Sequence, residues 1–391
     1  MTSSRRNFLA AGLALPVAAA AKPDQQTPPG PGGTPPPSAR PAFAPEFRYR
    51  TLGKTGLRVT TLGFGCMVTS DGSVVERAAD LGITYFDTAR NYGHGNNERM
   101  VGAALKGKRQ RLVLSTKTEA ETRQDALDQL DKSLQELGTD FVDIWYLHGK
   151  TRPEAVTDDL LEAQQAAKKA GKIRFAGVST HGGQRELIPW LAVNPHIDVI
   201  LTVYNFTMEP FMNSVIEEAI KAGKGVVAMK VMAGGARRLR PGNPNLAKLQ
   251  QQGAMPAALK WVLRNPNVAT TVPSMTDMDQ LDSNLHAMSQ PFGAEDEKLL
   301  AMHLDHIGPL YCRMCGECAG QCRQGLPVAD VLRFLTYAEG YGQFTLARER
   351  YLEMAPQHVS ARCGDCPSCT VACPYGVHVA RQVARAQERF A

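Results

Sequence analysis

The chain has 391 residues, 21% of them charged and 43% apolar, and its net charge is +6 at pH 7. That length exceeds one small domain and suits one large core plus an accessory module. The positive excess is scattered, with no long Lys/Arg run and no interleaved aromatics, so nucleic acid is excluded as an expected partner.

The first stretch, Ser4-Arg-Arg-Asn-Phe-Leu9, is a twin-arginine pattern ahead of a weakly apolar run, Ala10 to Ala21, that ends in small residues suited to cleavage. We read residues 1–22 as a twin-arginine signal peptide, which implies an exported, periplasmic protein. The run falls short of the roughly 20 apolar residues a membrane-spanning helix needs, so no transmembrane anchor is expected once the signal is removed. Residues 23–45 are rich in Pro and Gly and too poor in large apolar side chains to fold; they read as an extended tether. The destination is oxidising, and clustered thiols would pair there unless metal is bound before export.

After the tether, Phe47 to Thr60 alternates apolar and polar residues around Gly53-Lys-Thr-Gly56, the pattern of a hairpin. Candidate strands follow at Thr61 to Phe64, Ile83 to Phe86, Leu112 to Thr116, Val142 to Leu147, Ile173 to Val178, Val199 to Tyr204, Val226 to Met229 and Val268 to Val272. Helical spacing marks Gln124 to Leu137, Pro153 to Ala170, Met212 to Ala222, Met255 to Leu263 and Glu295 to Ile307. Strands alternating with helices in this way predict an α/β fold, a closed (β/α)8 TIM barrel, over residues 46–308. No Gly-x-Gly-x-x-Gly follows the first strand, against a doubly wound dinucleotide fold.

Three strand ends carry chemistry. Asp87 ends one, with Tyr92 in the loop beyond it, Lys117 ends the next, and His148 ends the one after. Reducing a carbonyl needs a proton for the developing alkoxide, and a phenol with a pKa near 10 holds its proton too tightly. A nearby ammonium should favour the phenolate and make Tyr92 a better acid, with Asp87 holding Lys117 charged and in place. His148 would hydrogen-bond and orient the substrate oxygen. Singly, each has a duller role as a helix cap or packing residue; converging on one rim, they read as a site.

The stretches FDTARNYGHGNNERMVGAAL (86–105), LSTK (114–117), DIWYLHG (143–149), GVSTHG (177–182) and TVPSMTDMDQLDSNLHA (271–287) resemble the aldo-keto reductase family. The resemblance covers residues 46 to about 290 and implies the same four roles, Tyr92 acting as base in the oxidative direction. It also implies an NAD(P) nucleotide across the C-terminal rim. Lys230, Gly234, Gly235 and Arg237 would meet its pyrophosphate, Ser274, Gln280 and Asn284 its adenosine end, and Ser179 its carboxamide. This chain departs from the family at Met229, where an aromatic commonly stacks on the nicotinamide, and at Leu201, where a Gln commonly stands. Ser274 and Gln280 replace the Lys and Arg of members selective for the 2'-phosphate, and Asp277 and Asp279 add negative charge, so a phosphorylated ribose is disfavoured.

Residues 309–391 hold eight of the nine cysteines in two copies of Cys-x-x-Cys-x-x-Cys-x-x-x-Cys: Cys312, Cys315, Cys318, Cys322 and Cys363, Cys366, Cys369, Cys373. Such a run places three thiolates on one iron-sulfur cube and sends the fourth to another, so two [4Fe-4S] clusters are expected. Cys312, Cys315, Cys318 and Cys373 would hold one, and Cys363, Cys366, Cys369 and Cys322 the other. Zinc and disulfides are the competing readings, and the threefold repetition fits both poorly. In the first copy Arg323 stands where Pro is usual. Helix-like Val328 to Glu339 and Thr345 to Met354 make the module a mostly helical, ferredoxin-like domain. Cys66, outside the module, reads as a small buried residue or a pocket-lining one.

The expectation is an oxidoreductase that interconverts a small carbonyl and its alcohol by hydride transfer, coupled to iron-sulfur electron transfer with a partner protein. The rival expectation is a non-catalytic electron carrier or binding protein on a degenerate barrel.

Overall fold

A computed structural model describes residues 46–208, 210–234 and 253–391. Residues 1–45, read above as a signal peptide and tether, lie outside the described residues, as do Gly235 and Arg237. The chain opens with an antiparallel hairpin, β1 (Tyr49–Thr51) and β2 (Arg58–Thr60), joined through a single turn of 3-10 helix. Gly53 at its tip has φ +54°, and a Cβ there would lie 2.4 Å from the Gly225 nitrogen; only glycine lets the tip press so closely on that backbone. Lys54 N donates to Gly223 O at 2.8 Å, so the hairpin plugs the end of the barrel at which its strands begin.

Eight parallel strands follow: β3 (Phe64–Gly65), β4 (Tyr85–Asp87), β5 (Val113–Thr118), β6 (Val142–Leu147), β7 (Ile173–Thr180), β8 (Val199–Val203), β9 (Gly225–Met229) and β10 (Thr270–Thr271). Each pairs with its sequence neighbour, and bridges Leu62↔Thr271 and Gly65↔Ser274 close the ring. The first and last strands are shorter than their apolar runs predict. Gly63 and Gly65 come so close to the strand opposite that a Cβ would lie 2.7 and 2.4 Å from Thr271 O and Val272 O, and pairing at this seam reduces to isolated bridges.

Outside lie α1 (Gly72–Leu81), α2 (Asn96–Ala104), α3 (Arg123–Leu137), α4 (Asp158–Lys169), α5 (Gln184–Val193), α6 (Phe211–Lys221), α7 (Ala254–Leu263) and α8 (Met278–Ser289). Their boundaries follow local chemistry. The Thr122 side chain caps α3, which ends at left-handed Gly138, and Thr157 caps α4, so the run from Pro153 splits into a 3-10 turn and a helix. Two apolar layers result. Phe86, Leu114, Trp145 and Val178 face the helices, while Tyr85, Val113, Ile144, Tyr146, Leu201 and Val227 fill the barrel with Leu52 and Val59 of the hairpin. Cys66 is fully buried in the outer layer, its thiol pushed up by burial, so it is a packing residue.

Beyond α9 (Ala294–Ile307) come α10 (Val328–Glu339), α11 (Phe344–Leu352), α12 (Pro356–Ser360) and α13 (Val379–Phe390), packed around Val331, Leu335, Tyr351, Val383 and Phe390. This segment sits on the barrel's C-terminal rim. A Cβ on Gly340 would lie 2.0 Å from Gly234 O, Asn205 Nδ2 donates to the Tyr311 hydroxyl, and Arg350 pairs with Glu119 and donates to Asn91 O. Among the described residues no helix is long and apolar enough to cross a membrane.

Candidate active site

Alternation along the strands decides which side chains reach the mouth. Tyr85 faces the interior, so Asp87 does as well; on the next strands the same parity carries Val113 to Ser115 and Lys117, and Ile144 to Tyr146 and His148. Register then sets height, since Asp87 lies opposite Ser115 and Lys117 opposite Tyr146. Lys117 stands inside β5 and not past its end, and its Nζ donates to Asp87 Oδ2 at 2.6 Å and Thr88 O at 2.6 Å. Ser115 Oγ holds the other carboxylate oxygen at 2.7 Å. The Tyr85 and Tyr146 hydroxyls, 2.8 Å apart, form the floor beneath.

Tyr92 follows β4, where Gly93, His94 and Gly95 all adopt positive φ and turn the chain into α2. Its hydroxyl is 3.4 Å from Lys117 Nζ, and its ring stands edge-on to His148 with centroids 6.1 Å apart. The direction of its pKa is opposite to the one expected from the sequence: burial, then the Asp87 charge, raise it well above the usual phenol value. The Lys117 ammonium, 3.4 Å from the hydroxyl, does not outweigh them. The His148 imidazole is held neutral, its pKa well below the usual value through burial and then Lys117 and Arg350. Glu119 Oε1 approaches Nδ1 at 3.3 Å.

The Asp87–Lys117 pair is almost fully buried, at 4% and 2% exposure. Replacing Asp87 with Asn leaves the ammonium without its countercharge in a dry site, and breaking such a pair costs about 3 to 5 kcal/mol. Urea unfolding of Asp87→Asn should show that loss, and a midpoint equal to the parent's would mean the pair is not what stabilises the rim.

Two cavities meet at Tyr92. One, of about 100 Å3, is lined by Gly65, Asp87, Tyr92, Met229, Ser274 and Tyr341 among others. The other, of about 650 Å3, is bounded by Tyr92, Glu119, His148, Arg152, Arg333 and Tyr337 among others; it lies in the size range of small-molecule sites. Arg333, Tyr337 and Arg350, from the C-terminal helices, and Tyr341, from the loop between α10 and α11, were not legible as site residues in the sequence. His181 was also missed, although it continues the inward parity of β7 from Gly177 and Ser179; its ring lies 6.1 Å from that of His148.

Of the residues assigned to a nucleotide, Met229, Lys230 and Ser274 line the smaller cavity. Ser179 is buried and its Oγ accepts from Gly149 N at 3.0 Å. The Gln280 amide folds back on Thr276 and Asp277, Asn284 is buried, and Gly234 lies under the Tyr311 ring.

Cys312, Cys315, Cys318 and Cys373 line one small cavity with Leu332 and Val379. Burial, with Cys318, Cys315 and Cys373 adding to it, pushes the Cys312 thiol up to about 12, so free thiolates are disfavoured there. Cys363 is raised by burial and by Cys369, Cys322 and Cys366, which marks those four as the second neighbourhood. Among the described residues no three His, Cys, Asp or Glu side chains are gathered closely enough to hold one metal ion. A cube spreads its thiolates over a wider frame than a single zinc does.

A closed parallel barrel with ionisable side chains converging at the strand ends is an enzyme scaffold. The chain belongs to the aldo/keto reductase family, whose sequence model matches residues 69–305, and it is an oxidoreductase of that family's type. It is 26% identical over 329 residues to L-glyceraldehyde 3-phosphate reductase of Escherichia coli O157:H7, covering 68% of this chain and 95% of that one. Over 153 residues it is 34% identical to the oxidoreductase YqkF of Bacillus subtilis, covering 34% of this chain and about half of that protein (49%). The solved holo form of aldo-keto reductase AKR11C1 from Bacillus halodurans superposes with a TM-score of 0.56 at 28% identity, over 66% of this chain and 96% of that one.

Proposed function

We propose that this protein interconverts a small carbonyl compound and its alcohol, with Tyr92 exchanging the proton, and that it passes electrons through two [4Fe-4S] clusters in a C-terminal domain over residues 309–391. The observation that carries the reading is the buried Lys117–Asp87 pair at 2.6 Å with the Tyr92 hydroxyl 3.4 Å from the same ammonium, at the wall of a cavity large enough for a substrate.

In the reductive direction the substrate oxygen lies between Tyr92 and His148. The neutral imidazole donates a hydrogen bond to it, and Tyr92 releases its proton as negative charge develops on that oxygen. A phenol held above its usual pKa keeps its proton until the alkoxide forms, which suits an acid that must not ionise beforehand. Lys117 then stands beside the new phenolate, and Asp87 keeps it there. A nicotinamide nucleotide bound at Met229 and Ser274 would supply or accept the hydride. Members of the family typically bind NADP, while Asp277 and the self-bonded Gln280 favour the unphosphorylated ribose here.

The two cysteine sets differ in position. Met314, within the first set's loop, packs against the barrel rim, where a Cβ on Gly182 would lie 2.9 Å from its carbonyl. Cys369 of the second set is exposed. In this reading the first cluster faces the active site, and a redox partner docks at the second. Residues 1–22 would direct export of the folded, metal-loaded chain.

The test is anaerobic purification of the full chain, with iron and extracted nucleotide quantified and turnover measured for benzyl alcohol with ferricyanide and for benzaldehyde with NADH. Iron-loaded protein that turns over one of the pair supports the reading; protein without iron, or inert with both, overturns it.

A further inference from the structure

The cations at the barrel mouth are unevenly matched. Lys117 has Asp87, and Arg350 has both Glu119 and Glu353. Arg333, on α10, has Asp330, whose side chain is half exposed. Lys230 pairs with no carboxylate among the described residues, yet it stands just past β9 in the wall of the smaller cavity, with Tyr92 and His181. It adopts φ +55°, which a lysine keeps only where its surroundings enforce it, and Asn205 Nδ2 fastens its carbonyl at 3.0 Å.

The Lys230 ammonium lies 3.4 Å from the Tyr337 hydroxyl and 4.6 Å from the centroid of that ring, and Arg333 hydrogen-bonds the same phenol from its own helix. Tyr337 is buried, at 5% exposure. Two cations therefore converge in a dry place, and the groups around them register the excess. Burial acts to raise the Tyr337 pKa, but Lys230 and Arg333 outweigh it and the pKa falls below the usual phenol value. Burial lowers the pKa of Lys230 itself. His181 is held neutral by burial, then by Lys230 and Arg333, and its Nδ1 is buried without a hydrogen-bond partner. An uncompensated charge and an orphaned ring nitrogen are both costly to bury unless a ligand brings their partner.

We propose that Lys230 and Arg333 form a binding site for an anionic group on the substrate, a carboxylate or a phosphate, so that this enzyme acts on carbonyl compounds or alcohols that carry one. Tyr92 and His181 line both cavities, the smaller with Lys230 and the larger with Arg333. A substrate whose reacting oxygen rests on Tyr92 thus has the two cations along the shared wall. The guanidinium presents its N–H groups in the fork that carboxylate and phosphate oxygens match, and the lysine adds a compact charge. Neither group moves a proton or a hydride; both hold the substrate. The family resemblance would give Lys230 to the pyrophosphate of a nucleotide, whereas its ammonium rests on Tyr337 of α10. This proposal rests on the reading that the site takes a small carbonyl compound or alcohol, and it gives the C-terminal helices a part in selecting it.

The test compares 4-formylbenzoate and 4-formylphenyl phosphate with 4-methylbenzaldehyde, which is uncharged and similar in shape, each with NADH and the full chain. The parent should favour one of the two anions over the neutral aldehyde by about 100-fold in kcat/KM, as charge-assisted hydrogen bonds allow, and the favoured arm names the anion. Lys230→Met and Arg333→Met should each cut that preference about tenfold or more, through KM and not kcat, while Arg333→Lys keeps part of it. A ratio of two substrates on one preparation is blind to how much of a variant has folded. A parent that prefers neither anion overturns the proposal and leaves the carbonyl reading standing. So does a Lys230→Met chain that binds NADH more weakly with its preference intact, since the lysine then holds the nucleotide. A parent inert with all three aldehydes, and with the matching alcohols and ferricyanide, removes the reading beneath the proposal and the proposal with it.

Discussion

Tyr92→Phe should lower turnover of a carbonyl substrate by about 1,000-fold, within the range that positioned general acids contribute, while the fold and the iron content stay as they are. The substitution removes one atom from a well-defined place. The ring of residue 92 packs edge-on to His148 and lies 4.9 Å beneath the Lys117 ammonium, and phenylalanine reproduces both contacts. Lys117 keeps its bonds to Asp87 and Thr88 O, each at 2.6 Å, so no buried charge is stranded. The loss should therefore fall on kcat, with KM changed little, because the missing interaction matters only as charge builds on the substrate oxygen. Turnover within tenfold of the parent would mean that another group delivers the proton and that the barrel's chemistry has been assigned to the wrong phenol.

How this site was legible in the sequence depends on distance along the chain. Asp87, Lys117 and His148 lie on consecutive strands, and strict alternation brings side chains of like parity to one mouth, so their meeting follows from the strand pattern. Tyr92 could be added because it stands in the loop just beyond Asp87, beside Gly93. The direction of its pKa could not, because that depends on how dry the site is and on the nearby Asp87 charge. His181 follows from the same parity argument, two residues beyond Ser179 on the inward face of β7. Arg333, Tyr337, Tyr341 and Arg350 carried no signal. Arg333, Tyr337 and Arg350 read as ordinary members of helices and Tyr341 as part of the loop between them, and it takes contacts such as Gly340 on Gly234 and Arg350 on Glu119 to bring them onto the barrel. The short seam strands were hidden for a related reason, since close backbone approach at Gly63 and Gly65 is a tertiary fact that an apolar run does not encode.

Cys373→Ala and Cys322→Ala should each remove about half of the iron, and the halves should differ. The spacing sends the fourth cysteine of each copy to the other copy's three, so Cys373 is expected with Cys312, Cys315 and Cys318, and Cys322 with Cys363, Cys366 and Cys369. In the fold Cys373 lines the cavity of Cys312, Cys315 and Cys318, whereas Cys322 acts on Cys363. A ligand lost from a cube leaves a thiolate site open to solvent and oxygen, so air-exposed protein should retain only the cluster whose ligands are intact. Cys373→Ala then behaves like Cys312→Ala in its residual electron paramagnetic resonance signal, and Cys322→Ala like Cys363→Ala. The functional consequence separates the two further. The first set shares its wall, Leu332, with the helix that carries Arg333 and Tyr337 into the substrate cavity, so its loss should stop ferricyanide-coupled turnover at the barrel side. Loss of the second set should spare the exchange between substrate and the first cluster, seen as bleaching on addition of benzyl alcohol, while slowing delivery to an external acceptor. If Cys373→Ala instead resembles Cys363→Ala, the thiols are sorted by copy and not across copies, and the proposed first cluster loses its place beside the substrate cavity.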